Sequence, residues 1–202
     1  MLGSIRAIIA IIVALMLQSG MTGATQTTPA QEAQEFMQGM TSLQTETLNK
    51  YMGNQYVNFL VNVEGDDETV ARMQKALLQN FTYEISDIEE RDGLAVAKIP
   101  VSGNDFSEIM DAYEKEAYDY ITGNLYEEEV TDREALSEKC LEIYVDELEK
   151  IAEDGELTER TIYLPMKENR HHSWDVLLDD EIMEIMLGDL ALPDGILKED
   201  DK

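Results

Sequence analysis

The chain has 202 residues, of which 44% are apolar, so it can bury the core of one globular domain. Aspartate and glutamate total 43 against 15 lysines and arginines, which gives a formal net charge of −28. Binding to nucleic acids and to anionic lipid head groups depends on lysine and arginine, and an acidic surface repels both ligands. We therefore exclude nucleic-acid binding and peripheral binding to anionic membranes.

Residues 1–24 have the order of a secretory signal peptide. Arg6 supplies a positive charge, residues 7–17 form an uninterrupted apolar run of 11 residues, and small or polar residues follow up to Ala24. The run is short for a permanent transmembrane helix, which needs about 20 apolar residues. We predict export, with cleavage after Ala24, and a secreted or cell-surface location in a bacterium. The alternative is an uncleaved segment that acts as a weak anchor, and this is the only membrane contact that we expect.

The end of that segment, Leu17-Gln18-Ser19-Gly20-Met21, resembles the lipobox of bacterial lipoproteins. In that family a cysteine accepts the lipid through a thioether, and Met21 stands in its place. A methionine cannot form this bond, so the chain cannot be lipidated at this position.

The next part of the chain predicts a linker followed by helices. Residues 25–34 are rich in Thr, Gln and Ala, which is typical of a linker. Apolar residues then recur at helical spacing over 36–59, with a slip near Thr45, and predict one bent helix or two. Residues 65–67 break the pattern and supply an N-cap for a short amphipathic helix over 70–78.

Two extended runs, 81–88 and 94–101, flank turn residues at 89–93 and predict a β-hairpin. Asp105 is a predicted N-cap for a helix over 106–121, and Thr131 or Asp132 for a helix over 136–151. Gly123 and Gly155 are the predicted ends of these two helices.

A second hairpin is predicted from strands 161–166 and 173–177 around a turn at 168–172. Pro165 lacks an N–H, so we expect it to face an edge or a bulge. A short helix over 182–186 stops at Gly188, and residues 193–202 read as a loose acidic tail.

These elements predict one α+β domain over residues 35–192, with an antiparallel sheet built from two hairpins and helices packed on one face. Two groups of segments carry a family resemblance: residues 81–85, 95–101 and 104–106, and residues 161–166, 174–176 and 182–190. They resemble NTF2-like secreted proteins and lipoproteins of Gram-positive bacteria, a group of uncharacterised function. The resemblance implies a cystatin-like, cone-shaped fold, whose pocket is an active site in some members and binds a ligand or is filled in others.

Candidate catalytic residues are Asp87 and Asp175, because each interrupts an apolar stretch. We expect Asp87 to share a strand face with Tyr83 and Ile85. The adjacent His171 and His172 fall in a predicted turn, and neighbouring strand residues point to opposite faces, so we predict neither a metal site nor a cofactor. The aromatic candidates for lining a ligand pocket in the cone are Tyr83, Tyr113, Tyr120, Tyr163 and Trp174.

We favour a non-catalytic binding or interaction module, with a small molecule or a protein as partner. The first alternative is an NTF2-like enzyme of the hydrolase, isomerase or dehydratase type, which requires a buried aspartate or histidine with a polar partner in the cone pocket. The second alternative is a passive surface spacer, which a filled cone without any exposed apolar patch would favour.

Overall fold

The computed structural model describes residues 27–63 and 65–193. The predicted signal peptide, and all of the predicted tail except Pro193, lie outside the described residues. The first helices α1, α2, α3 and α4 are Pro29–Thr41, Thr45–Lys50, Gln55–Asn62 and Asp67–Leu78. The stretch predicted as one bent helix or two is therefore three helices.

Helix α1 begins inside the segment predicted as a linker. The Thr28 side chain accepts a hydrogen bond from the backbone N–H of Gln31, and the Gln31 side chain accepts one from the N–H of Thr28. This capping box, with Pro29 at the first helical position, stabilises the start of a helix. The linker prediction was wrong for residues 29–34, and Ala33 in that stretch is fully buried.

The first hairpin contains β1 (Thr82–Tyr83), β2 (Asp87–Arg91) and β3 (Leu94–Asn104). Asp92 and Gly93 have φ angles of +53° and +74°. Two successive residues with positive φ make the two-residue turn that matches the twist of flanking strands. The turn is shorter than the predicted one, and residues 89–91 belong to β2.

A β-bulge separates β1 from β2. Tyr83 pairs with Val101 and Asp87 pairs with Lys98, so three residues of one strand oppose two of the other. The extra residue reverses the alternation of side chains between the two faces. Tyr83 therefore faces the core with Val101, whereas Asp87 faces solvent with Lys98, and the prediction that they share a face was wrong.

The connection from β3 to β4 contains α5 (Ile109–Gly123), α6 (Glu128–Thr131) and α7 (Arg133–Asp154). As predicted, Asp132 caps α7, by accepting hydrogen bonds from two backbone N–H groups, and Gly155 ends it. Asp105 does not cap α5, which begins four residues later. Its carboxylate accepts a hydrogen bond from the N–H of Ser107 and pairs with Arg160.

The second hairpin contains β4 (Leu157–Glu168) and β5 (Trp174–Val176), and α8 (Asp180–Met186) follows. Strands β3 and β4 pair from Leu94–Lys167 to Asn104–Leu157. The two hairpins thus form one antiparallel sheet, in which β2, β3, β4 and β5 lie side by side and β1 extends the β2 edge. This confirms the predicted α+β class and the joining of the hairpins.

Pro165 lies on β4, which has a partner strand on each side, and not on an edge. Its carbonyl accepts a hydrogen bond from the N–H of Leu177, the residue that follows β5. The N and C=O of one strand residue point to the same side. The proline nitrogen therefore faces Leu177, just beyond the end of β5. The missing N–H removes a hydrogen bond only at the end of the pairing between β4 and β5.

Helices cover one face of the sheet, which we call the inner face. Helix α1 contacts β2, β3 and β5, and α8 packs on β4, while α7 packs against α4 and α5 behind them. The inner-face side chains of the two central strands are buried: Ala95, Ala97, Ile99, Val101, Ile162, Leu164 and Met166. The opposite face, the outer face, carries no helix among these contacts and is the solvent side.

An ion cluster fastens the end of the described chain to the sheet. The Arg160 side chain is 11% exposed, and its Nε donates to Oδ2 of Asp189 at 2.9 Å. Its Nη2 lies 3.2 Å from Oδ2 of Asp105, an ion pair without hydrogen-bond alignment. The N–H of Phe106 donates to the carbonyl of Gly188 at 2.7 Å. These contacts join β4, the end of β3 and the turn after α8.

We expect the substitution Asp105→Asn to make the free energy of unfolding less dependent on pH in the acidic range. Hydrogen bonds from Ser107, together with the charge of Arg160, hold the pKa of Asp105 below its usual value. Such a group stabilises the fold above its unfolded pKa of about 4, and its contribution disappears as the pH falls through the lower folded value. In urea unfolding, the wild type and the variant should differ most near pH 7 and converge below about pH 3. A stability difference that does not change with pH would contradict this account.

Candidate interaction surface

The residues considered for catalysis are all solvent-exposed: Asp87, Asp175, His171 and His172. Asp175 accepts a hydrogen bond from Nδ2 of Asn169 at 3.0 Å, in the exposed turn of the second hairpin. The enzyme hypothesis required a buried carboxylate or imidazole with a polar partner in a pocket, and these side chains do not meet that requirement. Across residues 27–63 and 65–193, no three histidine, cysteine or acidic side chains are grouped so that they could hold a metal ion.

The aromatic residues proposed to line a pocket are divided among different places: Tyr83, Tyr113, Tyr120, Tyr163 and Trp174. Tyr83 is half-buried and its hydroxyl accepts a hydrogen bond from Nε2 of Gln34 at 3.0 Å. Trp174 is buried on the inner face at β5, whereas Tyr163 is 60% exposed on the outer face. These three side chains therefore do not share one cavity.

The other two aromatic candidates lie on α5, which packs on α7. The ring of Tyr113 meets that of Tyr144 edge to face at 5.5 Å, and burial, followed by the neighbouring Cys140, raises the pKa of Tyr113 to about 12. Tyr113 is thus a neutral packing residue at physiological pH. Tyr120 lies under the ammonium group of Lys139, which is 5.6 Å from the ring centre.

The inner face of the sheet leaves little room for a ligand next to α8, where a cavity reaches it. That cavity measures about 10 Å³ and is lined by Val101, Phe106, Arg160 and Met186, among others. This is about the smallest space that holds a single water molecule. The cone is therefore filled at this position by side chains from β3, β4 and α8.

A wider groove of about 670 Å³ lies between α4, α5 and α7, but its cations are already paired. Arg72 contacts Asp146 and Glu149 at 2.6 Å each. Lys139 contacts Glu142 at 2.5 Å. The two Arg72 ion pairs join α4 to α7 and raise the pKa of Arg72, whereas the Lys139 pair lies within α7. The positive charges of the groove therefore serve the fold.

The outer face of the sheet carries a contiguous group of exposed apolar side chains, which we call the outer patch: Leu94, Val96, Tyr163, Pro165 and Leu177. Four of them are between 40% and 60% exposed, and Pro165 is half-buried. Val96 pairs with Pro165 across β3 and β4, and the N–H of Leu177 bonds to Pro165 at 2.9 Å. These three residues form a row across the strands, at intervals of about 4.8 Å. Contiguous exposed apolar groups of this kind typically mark binding surfaces.

Charged side chains of both signs surround the outer patch: Arg91, Lys98, Lys167, Asp87, Glu89, Asp92 and Asp175. All seven are exposed. Three oppositely charged pairs are neighbours, Asp87 with Lys98 and Lys167 with Asp175 across strands, and Arg91 with Asp92 at 3.3 Å. Three positive and four negative charges sum to −1, whereas the whole chain carries −28. An apolar centre with a polar rim is the usual anatomy of a protein–protein interface.

Sequence reasoning placed Tyr163 in the cone and did not identify the other four residues of the outer patch as binding residues. A signal was present in residues 94–97, which read Leu-Ala-Val-Ala without a polar residue. A half-buried strand of an antiparallel sheet normally alternates apolar and polar residues. The unbroken apolar run therefore indicated that both faces of β3 are apolar at this end.

No protein-family model matches this chain, and no curated protein matches it. The solved structure of ycdA from Bacillus subtilis, a protein assigned as a lipoprotein, is similar to this chain, with a TM-score of 0.42 and 18% sequence identity. The match covers 72% of this chain, and the chain spans 44% of the length of ycdA. Proteins this distant need not share a function.

Within the described parts of the chain, none of the helices combines the length and the apolar character that a membrane crossing requires.

Proposed function

We propose that this chain is an exported bacterial protein whose NTF2-like α+β domain is a non-catalytic interaction module at the cell surface. Its binding site is the outer patch, and its partner is a protein. The carrying observation is the row of apolar side chains on the outer face, Val96, Pro165 and Leu177, within a ring of charges of both signs. The signal-peptide pattern of residues 1–24 supports export.

A protein partner fits the outer patch better than a small molecule does. Small-molecule sites are concave and bury most of the ligand, whereas the outer patch lies on the open face of a sheet. A passive spacer is expected to lack an exposed apolar centre, because such a patch promotes association with other proteins. The patch therefore favours the interaction module over the spacer.

Photocrosslinking in the bacterium that encodes the protein tests this proposal. Tyr163 is replaced by the photoreactive residue p-benzoylphenylalanine, and the matched control carries the same residue in place of Tyr118 on α5, which is 67% exposed. We expect a discrete covalent adduct from position 163 alone, which is lost when Val96→Glu is also present. Equal adducts from both positions, or none from position 163, would contradict the assignment of the outer patch.

A further inference from the structure

We infer that the free edge of β2 binds an extended segment of another protein, which adds one antiparallel strand to the sheet. The segment alternates apolar side chains with lysine or arginine. Its site is separate from the outer patch, and it does not depend on the proposed function.

The free edge is defined by the direction of the main chain on each side of the β-bulge. The N–H groups of Glu84 and Ser86 donate to carbonyls of β3, the second of them to Lys98. Lys98 therefore turns its main chain toward β2, and its register partner Asp87 turns toward β3. Successive residues of a strand alternate between the two sides. The residues whose main chain faces away from β3 are therefore Tyr83, Ile85, Ile88 and Glu90.

These outward-facing main-chain groups are available to another strand. Within residues 27–63 and 65–193, none of the four residues has a backbone hydrogen bond on this side. The N–H of Ile88 donates to Oδ1 of Asp87 at 2.9 Å, an exposed contact that a peptide carbonyl can replace. A row of such donors and acceptors is a template for pairing with a further strand.

A groove of about 500 Å³ follows this edge, and we call it the edge groove. It is lined by one side of α1 and by the edge itself: Ala30, Gln31, Gln34, Ile85, Ser86, Asp87 and Ile88. Ile85 and Ile88 are half-buried and pack against the core with one side only. An added strand would cover the other side of both isoleucines, so its apolar side chains would be buried beside α1.

An antiparallel strand satisfies the main chain and the edge groove together. In an antiparallel pair, residues that exchange hydrogen bonds also point their side chains to the same face. Ile88 presents its main chain to the free edge and its side chain to the edge groove. Every second residue of the added strand therefore bonds to β2 and also inserts its side chain into the edge groove. In strand addition, the main-chain bonds provide affinity and the pockets for alternate side chains provide specificity.

Charge determines the remaining side chains of the segment. Residues 83–92 contain five acidic side chains and one basic side chain, all of them exposed: Glu84, Asp87, Glu89, Glu90, Asp92 and Arg91. These charges sum to −4. The same edge of a second copy is therefore repelled, whereas lysine or arginine on the segment is attracted.

Fluorescence anisotropy of the exported protein with a synthetic peptide tests the site. The probe is a capped, dye-labelled heptapeptide that alternates lysine and valine and begins with lysine. It matches the edge from Tyr83 to Glu90, which is roughly 24 Å long at about 3.4 Å per residue. Replacing its lysines by glutamates should weaken binding at least about 10-fold. Equal binding of the two peptides would overturn the assignment of a cationic segment.

A second comparison uses peptides of identical charge, because any cationic peptide is attracted to a chain of −28. N-methylation of the valines removes the N–H groups directed at β2 and should weaken binding at least about 10-fold. N-methylation of the lysines removes N–H groups directed at solvent and should change the dissociation constant no more than about 3-fold. Equal binding of both methylated peptides overturns strand addition, and a loss confined to the lysine set overturns the antiparallel arrangement.

Two variants and one exchange measurement locate the peptide on the protein. Ala30→Arg places a long cationic side chain in the edge groove and should weaken binding at least about 10-fold. Gln38→Arg adds the same charge at an exposed position of α1 outside the edge groove, and should change binding no more than about 2-fold. Saturating peptide should also slow hydrogen exchange of the Glu90 N–H at least about 5-fold, since this group would gain a partner. Equal effects of the two variants, or an unchanged Glu90 exchange rate, would overturn the site.

Discussion

Replacing Gly188 by alanine should lower the free energy of unfolding by about 3 kcal/mol. Gly188 has a φ of +76°, in the left-handed region that strains residues with a side chain. A Cβ at this position would also collide with the backbone carbonyl oxygen of Asn104 and press on the ring of Phe106. The carbonyl cannot move away without disturbing the hydrogen bond from the Phe106 N–H to Gly188. Two costs, strain and overlap, therefore act together.

The matched control is Gly53→Ala. A Cβ at Gly53 meets no atom within 4 Å, and its φ lies outside the left-handed region. Its effect on stability should stay within about 0.5 kcal/mol. Urea unfolding at pH 7 measures both variants, and a Gly188→Ala protein as stable as the Gly53→Ala protein would show that the turn after α8 is not held against β3.

Replacing Tyr144 by alanine should cost about 4 kcal/mol, the range found for large aromatic side chains removed from protein cores. The Tyr144 ring is fully buried on α7 and meets the ring of Phe59 at 6.1 Å. Its hydroxyl donates to the carbonyl of Ala191 at 2.9 Å, so the residue connects the helical layer to the end of the described chain. The cavity left by alanine would lie at the centre of the contacts between α3, α5 and α7.

Two further variants separate the ring from the hydroxyl. Tyr144→Phe keeps the packing and removes one hydrogen bond, for an expected loss of about 1 kcal/mol. Tyr126→Ala removes a tyrosine that is 99% exposed, and should change stability by no more than about 0.5 kcal/mol. If Tyr144→Ala and Tyr144→Phe lose the same amount in thermal or urea unfolding, the ring does not pack as described.

The two faces of the sheet have different roles, and the β-bulge keeps them distinct. The inner face is filled by side chains between β3, β4 and α8, and its candidate pocket residue Trp174 is buried there. The bulge between Tyr83 and Asp87 turns Asp87, Glu89 and Arg91 of β2 outward, next to the outer patch. Binding is therefore proposed for the outer face of the sheet.

Much of the fold follows from local chemistry and could be predicted. Asp132 and Gly155 mark the ends of α7 because a carboxylate satisfies the free N–H groups of a first turn and glycine tolerates the exit of the chain. The alternation in the two hairpins identified the strands. Thr28 and Gln31 carry an equally local signal, the capping box, which the Thr- and Gln-rich composition of the segment concealed.

Other features depend on neighbours that are distant in sequence. The sequence pattern predicted Asp105 as an N-cap. Its carboxylate instead lies beside Arg160 on β4, and the helix begins later. The face of Asp87 depends on a single extra residue in the pairing of two strands. Neither the pairing partner nor the bulge can be read from the pattern of one strand. The alternation within β2 is the same whether or not an extra residue shifts its register against β3.

By itself the sequence determined the α+β class, the two hairpins, the ends of α7 and the acidity, since each depends on residues within a few positions of one another or on composition. Only the tertiary structure decided which face of the sheet is covered. Leu94, Val96, Pro165 and Leu177 are apolar residues that could equally have been core, and the candidate surface exists because the helices pack on the other side of the strands. The hydrophobic effect fixes how much apolar surface is buried, whereas the packing of the whole chain decides which part of it remains exposed to a partner.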